Sequence, residues 1–509
     1  MPDGLSTLTE QIARHGGAGV ALAAPDRRDQ THAELAAFIE STRSRLRALG
    51  IGRGDRVAIV LPNGPEMAAA FVAVAGAATT APLNPAYRLD EFAFYLEDLR
   101  AKAVLVAADE SGPIIEAAAR TGTAVLHAVV PDGAPAGQFL IEGEPVGPAS
   151  PDGPATAADV ALILHTSGTT SRPKIVPLSH ANLAASARHI GATLALGPED
   201  RVLNIMPLFH IHGLVAAVSS SLAAGGSIYA TPGFNALRFF AWMEDAKATW
   251  VTAVPTMYQA LLPRAERNAE VIARHPLRFL RSSSSSLPPQ VMQALEETFG
   301  CPVIESYGMT EATHQMASNP LPPRPRKPGS VGLAAGPEVT VRDEAGAEVP
   351  RGTVGEICIR GPNVTAGYEN NPAANEAAFT DGWFRTGDQG YMDEEGYLYI
   401  TGRLKELINR GGEKIAPREV DEVLMDHPAV AQAVTFAVPH EKLGEEVAAA
   451  IVLRPDCDPV PDAPAIRAFV ARRLADFKVP RTILFLDEIP KGPTGKLQRI
   501  GLAKTLGLA

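Results

Sequence analysis

Leu164-His165-Thr166-Ser167-Gly168-Thr169-Thr170-Ser171-Arg172-Pro173-Lys174 is the stretch on which the reading of this chain turns. The apolar run Val160-Ala161-Leu162-Ile163 enters it as a buried strand would, and a second short run, Ile175-Val176, leaves it. Between them stand hydroxyl residues and a glycine, then a proline and two cations. With no long side chain in the way, the backbone can approach a ligand, and its N–H groups can curl round an anion. The hydroxyls of Thr166, Ser167, Thr169, Thr170 and Ser171 add donors beside Gly168, and Lys174 adds a mobile positive charge. That combination suits a polyphosphate. It is not a Walker loop, because the G-x-x-x-x-G-K-[ST] spacing is missing. The plain alternative is a solvated Ser/Thr turn, which rarely sits between two apolar runs with a lysine at its exit.

Outward from this stretch, the pattern is one of alternating elements. Thr31-His32-Ala33-Glu34 is a capping box. Leu35, Phe38, Ile39 and Leu46 follow at helical spacing, and Gly50 ends that helix. Strands are expected at Val57–Leu61, Thr80–Leu83, Ala103–Ala107 and Ala124–Val130, with helices at Glu66–Ala77, Asp90–Leu99 and Ile114–Arg120 between them. Such alternation implies parallel sheets covered on both faces. Pro131–Pro154 is rich in Pro and Gly and reads as a surface loop. Ser179 is placed to cap a helix carrying His180 and Asn182.

The 509 residues are enough for two or more domains, and 46% hydrophobic with 20% charged residues is ordinary for a globular chain. A net charge of −11 argues against a general nucleic-acid binder. Cys301, Cys358 and Cys457 are far apart and have no metal-ligand spacing, which points to reduced thiols in a cytoplasmic setting. The Ala-rich run near Ala68–Ala81 is too short and weakly apolar to span a bilayer, and reads as a buried helix followed by a strand. Asp3, Glu10 and Arg14 do not fit a signal peptide, and the final Leu506-Gly507-Leu508-Ala509 is not a peroxisomal address.

The phosphate stretch resembles that of the adenylate-forming superfamily: acyl-CoA synthetases, luciferases and peptide-synthetase adenylation domains. Glu305-Ser306-Tyr307-Gly308-Met309-Thr310-Glu311, Thr386-Gly387-Asp388, Gly402-Arg403-Leu404-Lys405 and Pro490-Lys491-Gly492-Pro493-Thr494-Gly495-Lys496 continue the resemblance. It implies an α/β fold, with a large N-terminal domain of layered sheets and helices (1–402) and a small mobile α+β domain (403–509). It also implies ATP, CoA and Mg²⁺ as cofactors.

The resemblance assigns roles residue by residue. Thr166, Ser167, Gly168, Thr169, Thr170 and Lys174 would bind the ATP phosphates. Glu305, Ser306, Tyr307, Gly308 and Thr310 would line the nucleotide, with the Tyr307 ring stacked on adenine and Thr310 on a phosphate oxygen. Glu311, a hard oxygen ligand, would hold Mg²⁺ jointly with the phosphates. Asp388 would take both ribose hydroxyls, assisted by Arg403, although a turn-capping aspartate is the plain reading of that residue. Lys496, on a Gly/Pro-stiffened loop, would touch the acid and the α-phosphate. Lys405 would be the hinge. Arg410-Gly411-Gly412 would meet the catalytic pocket when the small domain turns and serve CoA; a simple charged hairpin is the alternative. The five serines Ser282–Ser286 follow an apolar run and precede the helical pattern Gln290–Phe299, which puts them on a strand-to-helix turn. Serine departs there from the glycines usual in the superfamily, leaving Ser284 and Ser286 as hydroxyl donors for nucleotide or acid. Ala248–Thr256 reads as a strand and turn lining the acyl pocket.

Pro207-Leu208-Phe209-His210-Ile211-His212-Gly213 holds two histidines at i, i+2, which would share a strand face. The residues alone favour a buried structural role for both. The resemblance places His210 beside the acid and leaves His212 structural. His314, three residues past Glu311, joins the same site.

Across nearly the whole chain, including Ser318-Asn319-Pro320-Leu321-Pro322 and Gly361-Pro362-Asn363-Val364-Thr365, the resemblance is strongest to oxalate–CoA ligases. A fatty-acid pocket needs an apolar tunnel, whereas His210, Ser284 and His314 give a short polar end that could hold a second carboxylate. The expected partner is a small carboxylic acid, with no nucleic acid and no membrane, in a monomer or a homodimer. Acyl-CoA synthetases for malonate, medium-chain or aromatic acids, and an adenylating loader of a carrier protein, are the competing readings.

Overall fold

The computed structural model describes residues 6–166, 173–455, 457–491 and 497–509. Ser167–Thr170 and Lys496, singled out above, lie outside the described residues.

Two sheets carry most of the large domain. In the first, seven strands run in the order Leu140–Glu142, Ala124–Val129, Ala103–Ala107, Arg56–Val60, Thr79–Pro82, Val160–Thr166 and Lys174–Ser179. The five inner strands pair in parallel and the two edges antiparallel. In the second, nine strands include a parallel core of Ser227–Ala230, Arg201–Asn204, Trp250–Ala253, Phe279–Ser282 and Val303–Met309. His314–Ser318 folds back antiparallel on Val303–Met309. Parallel strands need covered faces, and the helix Pro65–Ala75 shows the consequence: its residues Ala68–Ala75 are wholly buried. This is the Ala-rich run of the sequence, used as core. Among the described residues no helix is long and apolar enough to cross a membrane.

Local signals place these elements well. Thr31 and Ser179 form the expected capping boxes with Glu34 and Asn182. Gly50 takes a left-handed φ of 84° just past the first of these helices. The expected surface loop after residue 130 is more structured than its composition suggests. Leu140–Glu142 adds an edge strand, and Ala136, Phe139 and Ile141 are buried beneath it. Phe139 meets Phe38 edge-on at 4.9 Å, a contact no local pattern could reveal.

A third, five-stranded antiparallel sheet follows, with Trp383–Met392 paired to Leu398–Arg403. The fourth sheet, also five-stranded, belongs to the small C-terminal domain and contains Ile408–Arg410, Glu413–Ile415, Val430–His440, Gly444–Leu453 and Thr482–Phe485. The chain changes sheets over a few residues. Leu404 N–H still donates to Gly387 O at 2.9 Å, and Ile408 already pairs with Ile415 in the small sheet. Cys301, Cys358 and Cys457 are free thiols, the first two buried.

Candidate active site

The strands Val160–Thr166 and Lys174–Ser179 pair up to Thr166 and Lys174, so both ends of the phosphate stretch point the same way. The Lys174 ammonium lies 4.2 Å from the centre of the Tyr368 ring. Tyr368 Oη donates to Glu311 Oε1 at 2.9 Å. Partial burial holds the Lys174 amine below its ordinary pKa, and nearby Lys405 pushes the same way while Glu311 opposes. Burial raises the Glu311 carboxyl, with the Tyr368 bond and two cations pulling it back. Lys174, Glu311, Tyr368 and Lys405 thus meet beside one short 3₁₀ turn, Thr310–Ala312. Among the described residues no cluster of three metal ligands exists. A lone buried carboxylate fits a divalent cation that takes its remaining ligands from phosphates.

A second cluster lies alongside. Tyr307 Oη donates to Asp388 Oδ2, and Arg403 Nε donates to Asp388 Oδ1 at 2.8 Å. Asp388 is not the turn-capping aspartate of its plain reading. It sits inside the strand Trp383–Met392, where Gly387 adopts φ 73° and bends the chain. Burial drives the Tyr307 phenol well above its ordinary pKa, reinforced by Asp388, and Asp388 raises Arg403 further. Gly308 is needed for contact: a Cβ there would stand 2.0 Å from His314 O. Thr310 is half-buried at the start of the turn.

Two residues of the same motif also bond to the serine turn. Glu305, 1% exposed, accepts a hydrogen bond from Leu287 N–H at 3.0 Å and so clamps the far end of the serine turn. Burial raises its pKa to about 7, against a lowering pull from Arg418. Ser306 is buried, and its carbonyl accepts from Ser283 Oγ at 3.0 Å. Both residues are tied to the serine turn, Glu305 through its side chain and Ser306 through its carbonyl.

The serine turn runs from the strand Phe279–Ser282 to the helix Pro289–Phe299, as expected. Ser286 is exposed, while Ser284 is half-buried and held at φ 73°, a left-handed conformation costly for serine. Thr313 and His314 also have positive φ, 49° and 93°. Asn363 secures that strained turn, donating to Ala312 O at 2.8 Å and Gln315 O at 3.1 Å.

The two histidines do not share a strand face. The strand ends at Asn204, the chain turns, and His212 opens a buried π-helical segment, His212–Ser219. His212 N–H bonds His210 Nδ1 at 3.3 Å. The His212 ring, 0% exposed, lies 3.0 Å from Ser284 Oγ through Nδ1 and 2.6 Å from Thr252 Oγ1 through Nε2. Its ring centre is 5.0 Å from that of His314. Behind Thr252 stands Arg281, also 0% exposed, bonded to Thr252 Oγ1 at 3.3 Å and Gln315 Oε1 at 3.2 Å. Burial lowers its pKa to about 9, and among the described residues no carboxylate pairs with it. Arg281 was not singled out for the site, and Thr252 and Asn363 entered only as members of longer stretches, Ala248–Thr256 and Gly361–Thr365. The only local signal for Arg281 was an arginine in an otherwise apolar strand.

Past Arg403 and Lys405, the small domain's hairpin keeps to its own sheet. Arg410 Nε is bound to Glu446 at 2.7 Å, and Gly411 and Gly412 take φ 61° and 97° in a two-residue hairpin turn. Among the described residues no hydrogen bond or ion pair joins this hairpin to the nucleotide cluster. Beyond Lys496 the chain is anchored near the crossing: Arg499 reaches Glu406 at 3.4 Å and also pairs with Asp421.

Comparison with known proteins agrees with this geometry. The family described as AMP-binding enzyme matches residues 8–369, and its C-terminal domain matches 419–496. The chain is 46% identical to an oxalate–CoA ligase of Arabidopsis thaliana, over 98% of this chain and 97% of the relative. It is 42% identical to an oxalate–CoA ligase of Saccharomyces cerevisiae, over 89% and 87%. The crystal structure of ATP-bound MatB from Rhodopseudomonas palustris superposes with a TM-score of 0.86 at 32% identity, covering 98% of each chain. The chain therefore belongs to the AMP-binding enzyme family and is, within it, an AMP-forming acid–CoA ligase of the adenylate-forming superfamily.

Proposed function

We propose that the acid is oxalate and the product oxalyl-CoA. The observation that carries this reading is the polar, cationic end of the acid site, where Ser284, His210, His212 and His314 gather in front of buried Arg281. An apolar acyl chain offers nothing to the Ser284 hydroxyl or to the buried Arg281 charge, whereas a second carboxylate brings both an acceptor and an anion. The names of the two relatives above support the same acid.

In the first step a carboxylate oxygen of oxalate attacks the α-phosphorus of ATP, forming oxalyl-AMP and releasing pyrophosphate. In the second the CoA thiol adds to the activated carbonyl, loses its proton, and expels AMP. The first step brings several negative charges together, so electrostatic stabilisation dominates it. Lys174, the donors of the Thr166–Lys174 stretch and Lys496 supply positive charge. Glu311 is the residue to hold Mg²⁺, which would neutralise phosphate oxygens. Asp388 and Arg403 take the ribose, and the Tyr307 ring lies along the adenine. The Ser284 hydroxyl, His210 and His314 hold the distal carboxylate.

We further read the chain as two moving units, 1–402 and 403–509, pivoting at Lys405. Lys496 would serve adenylation in one orientation; rotation would withdraw it and bring Arg410, Gly411 and Gly412 to the CoA side. The enzyme is placed in the cytoplasm, as a monomer or homodimer, in keeping with its three free thiols.

A panel of oxalate, malonate, octanoate and coumarate, assayed for AMP release with and without CoA, tests the reading. Oxalate should give the highest kcat/KM, and sustained release should require CoA. A higher kcat/KM for malonate would replace the acid; oxalate-dependent pyrophosphate exchange with no CoA turnover would point to a carrier-protein loader.

A further inference from the structure

Arg281 is a buried guanidinium whose two bonded neighbours are neutral. Its Nη1 donates to Thr252 Oγ1 at 3.3 Å and its Nη2 to Gln315 Oε1 at 3.2 Å. Among the described residues no carboxylate pairs with it. The Gln315 amide orientation is set independently, because its Nε2 donates to Ala335 O at 3.0 Å, a carbonyl that can only accept. A buried cation left without an anion is costly, and an approaching anion relieves that cost.

The direction of the next bonds follows from what each group can do. Arginine donates and cannot accept. Thr252 Oγ1 therefore accepts from Arg281, and its own hydrogen needs an acceptor. Its other bonded neighbour among the described residues is His212 Nε2, at 2.6 Å. With Nε2 accepting, neutral His212 carries its proton on Nδ1 and donates it to Ser284 Oγ at 3.0 Å. The Ser284 oxygen then accepts, and its hydrogen is left to point into the acid site. The left-handed backbone at Ser284, φ 73°, keeps that hydroxyl in place.

We propose that Arg281, Thr252 and His212 form a one-way hydrogen-bond relay that presents the Ser284 hydroxyl as a donor to a carboxylate of the acid. The three are positioning residues, acting on the acid through Ser284. This rests on the reading above that Ser284 faces the acid. The relay works for an anionic acid terminus and against an uncharged one, since a donor with no acceptor is left unsatisfied.

The test reads the tautomer directly. Protein labelled with ¹⁵N-histidine is examined by NMR without substrates, with His212 assigned from the missing signal in His212→Gln. The wild-type ring should be neutral and protonated on Nδ1. Thr252→Val, nearly the same shape, should lose that fixed tautomer and raise the KM for oxalate about tenfold, with the KM for ATP within about twofold; Thr252→Ser should restore both. A wild-type His212 protonated on Nε2 overturns the relay, and so does a Thr252→Val enzyme with unchanged tautomer and unchanged oxalate KM. An Nδ1–H tautomer that responds to Thr252→Val in a protein that prefers another carboxylic acid keeps the relay and fails only the choice of oxalate.

Discussion

The nucleotide end and the acid end of this site are built on opposite electrostatic plans. At the nucleotide end Asp388 already has its partners, Tyr307 and Arg403, and Glu311 has Tyr368. A ligand there exchanges one set of bonds for another, which makes the cluster stable when empty and tolerant of how it is filled. At the acid end a buried arginine is held by a threonine and a glutamine, with no carboxylate paired to it among the described residues. A ligand there meets an unfilled demand for negative charge. In the function proposed above, the first arrangement would bind what every reaction of this class uses, and the second would select among acids.

Substitutions can break or sharpen that contrast. The largest effect should come from Lys496→Ala, which removes the charge proposed to serve adenylation. Adenylation, followed by pyrophosphate exchange, should fall about 100- to 1,000-fold, while transfer from pre-formed acyl-adenylate to CoA persists. Equal loss in both half-reactions would remove the lysine from its proposed role. Next, Asp388→Asn should raise the KM for ATP about 30-fold, roughly 2 kcal/mol, and leave the ranking of acids unchanged. A reshuffled acid ranking would mean that the two ends are not separate.

His314→Ala should act in the reverse sense, raising the KM for oxalate about tenfold with little change for ATP. If both constants are unmoved, the ring does not line the acid site. The smallest effect concerns the clamp on the serine turn. Glu305 has a folded pKa of about 7, above its ordinary 4.5, so the folded state favours its protonated form. Its stabilising contribution is complete below pH 4.5 and is lost as pH rises through about 7. Glu305→Gln, a permanently neutral isostere, should therefore gain stability relative to wild type between pH 5 and pH 8, of order 1 kcal/mol by thermal denaturation. A constant difference across that window would show that Glu305 does not titrate there.

Much of the fold was legible because its signals are local. The capping boxes at Thr31 and Ser179, the strand-to-helix turn at the serines and the Gly411-Gly412 turn each depend on residues a few positions apart. The edge strand Leu140–Glu142 was not legible, since its partner is another strand and its burial depends on Phe38. The motif residues Tyr307, Asp388 and Arg403 do converge, while Glu305 and Ser306 of the same motif are bonded to the serine turn. Those bonds depend on which turn packs beside the strand, not on the motif itself.

By itself the sequence determined the class of chemistry. A hydroxyl-rich stretch between two apolar runs suits a polyphosphate, and the aromatic–glycine–carboxylate motif and terminal lysine loop carry the resemblance that implies ATP and an acid. Tertiary structure decided what each histidine meets. His212, expected to be structural, is buried and links Thr252 and Ser284, with Arg281 behind it. Those four residues span three separate segments of the chain. Hydrogen-bond direction and the burial of a charge are properties of neighbours in space, which no spacing along the chain contains.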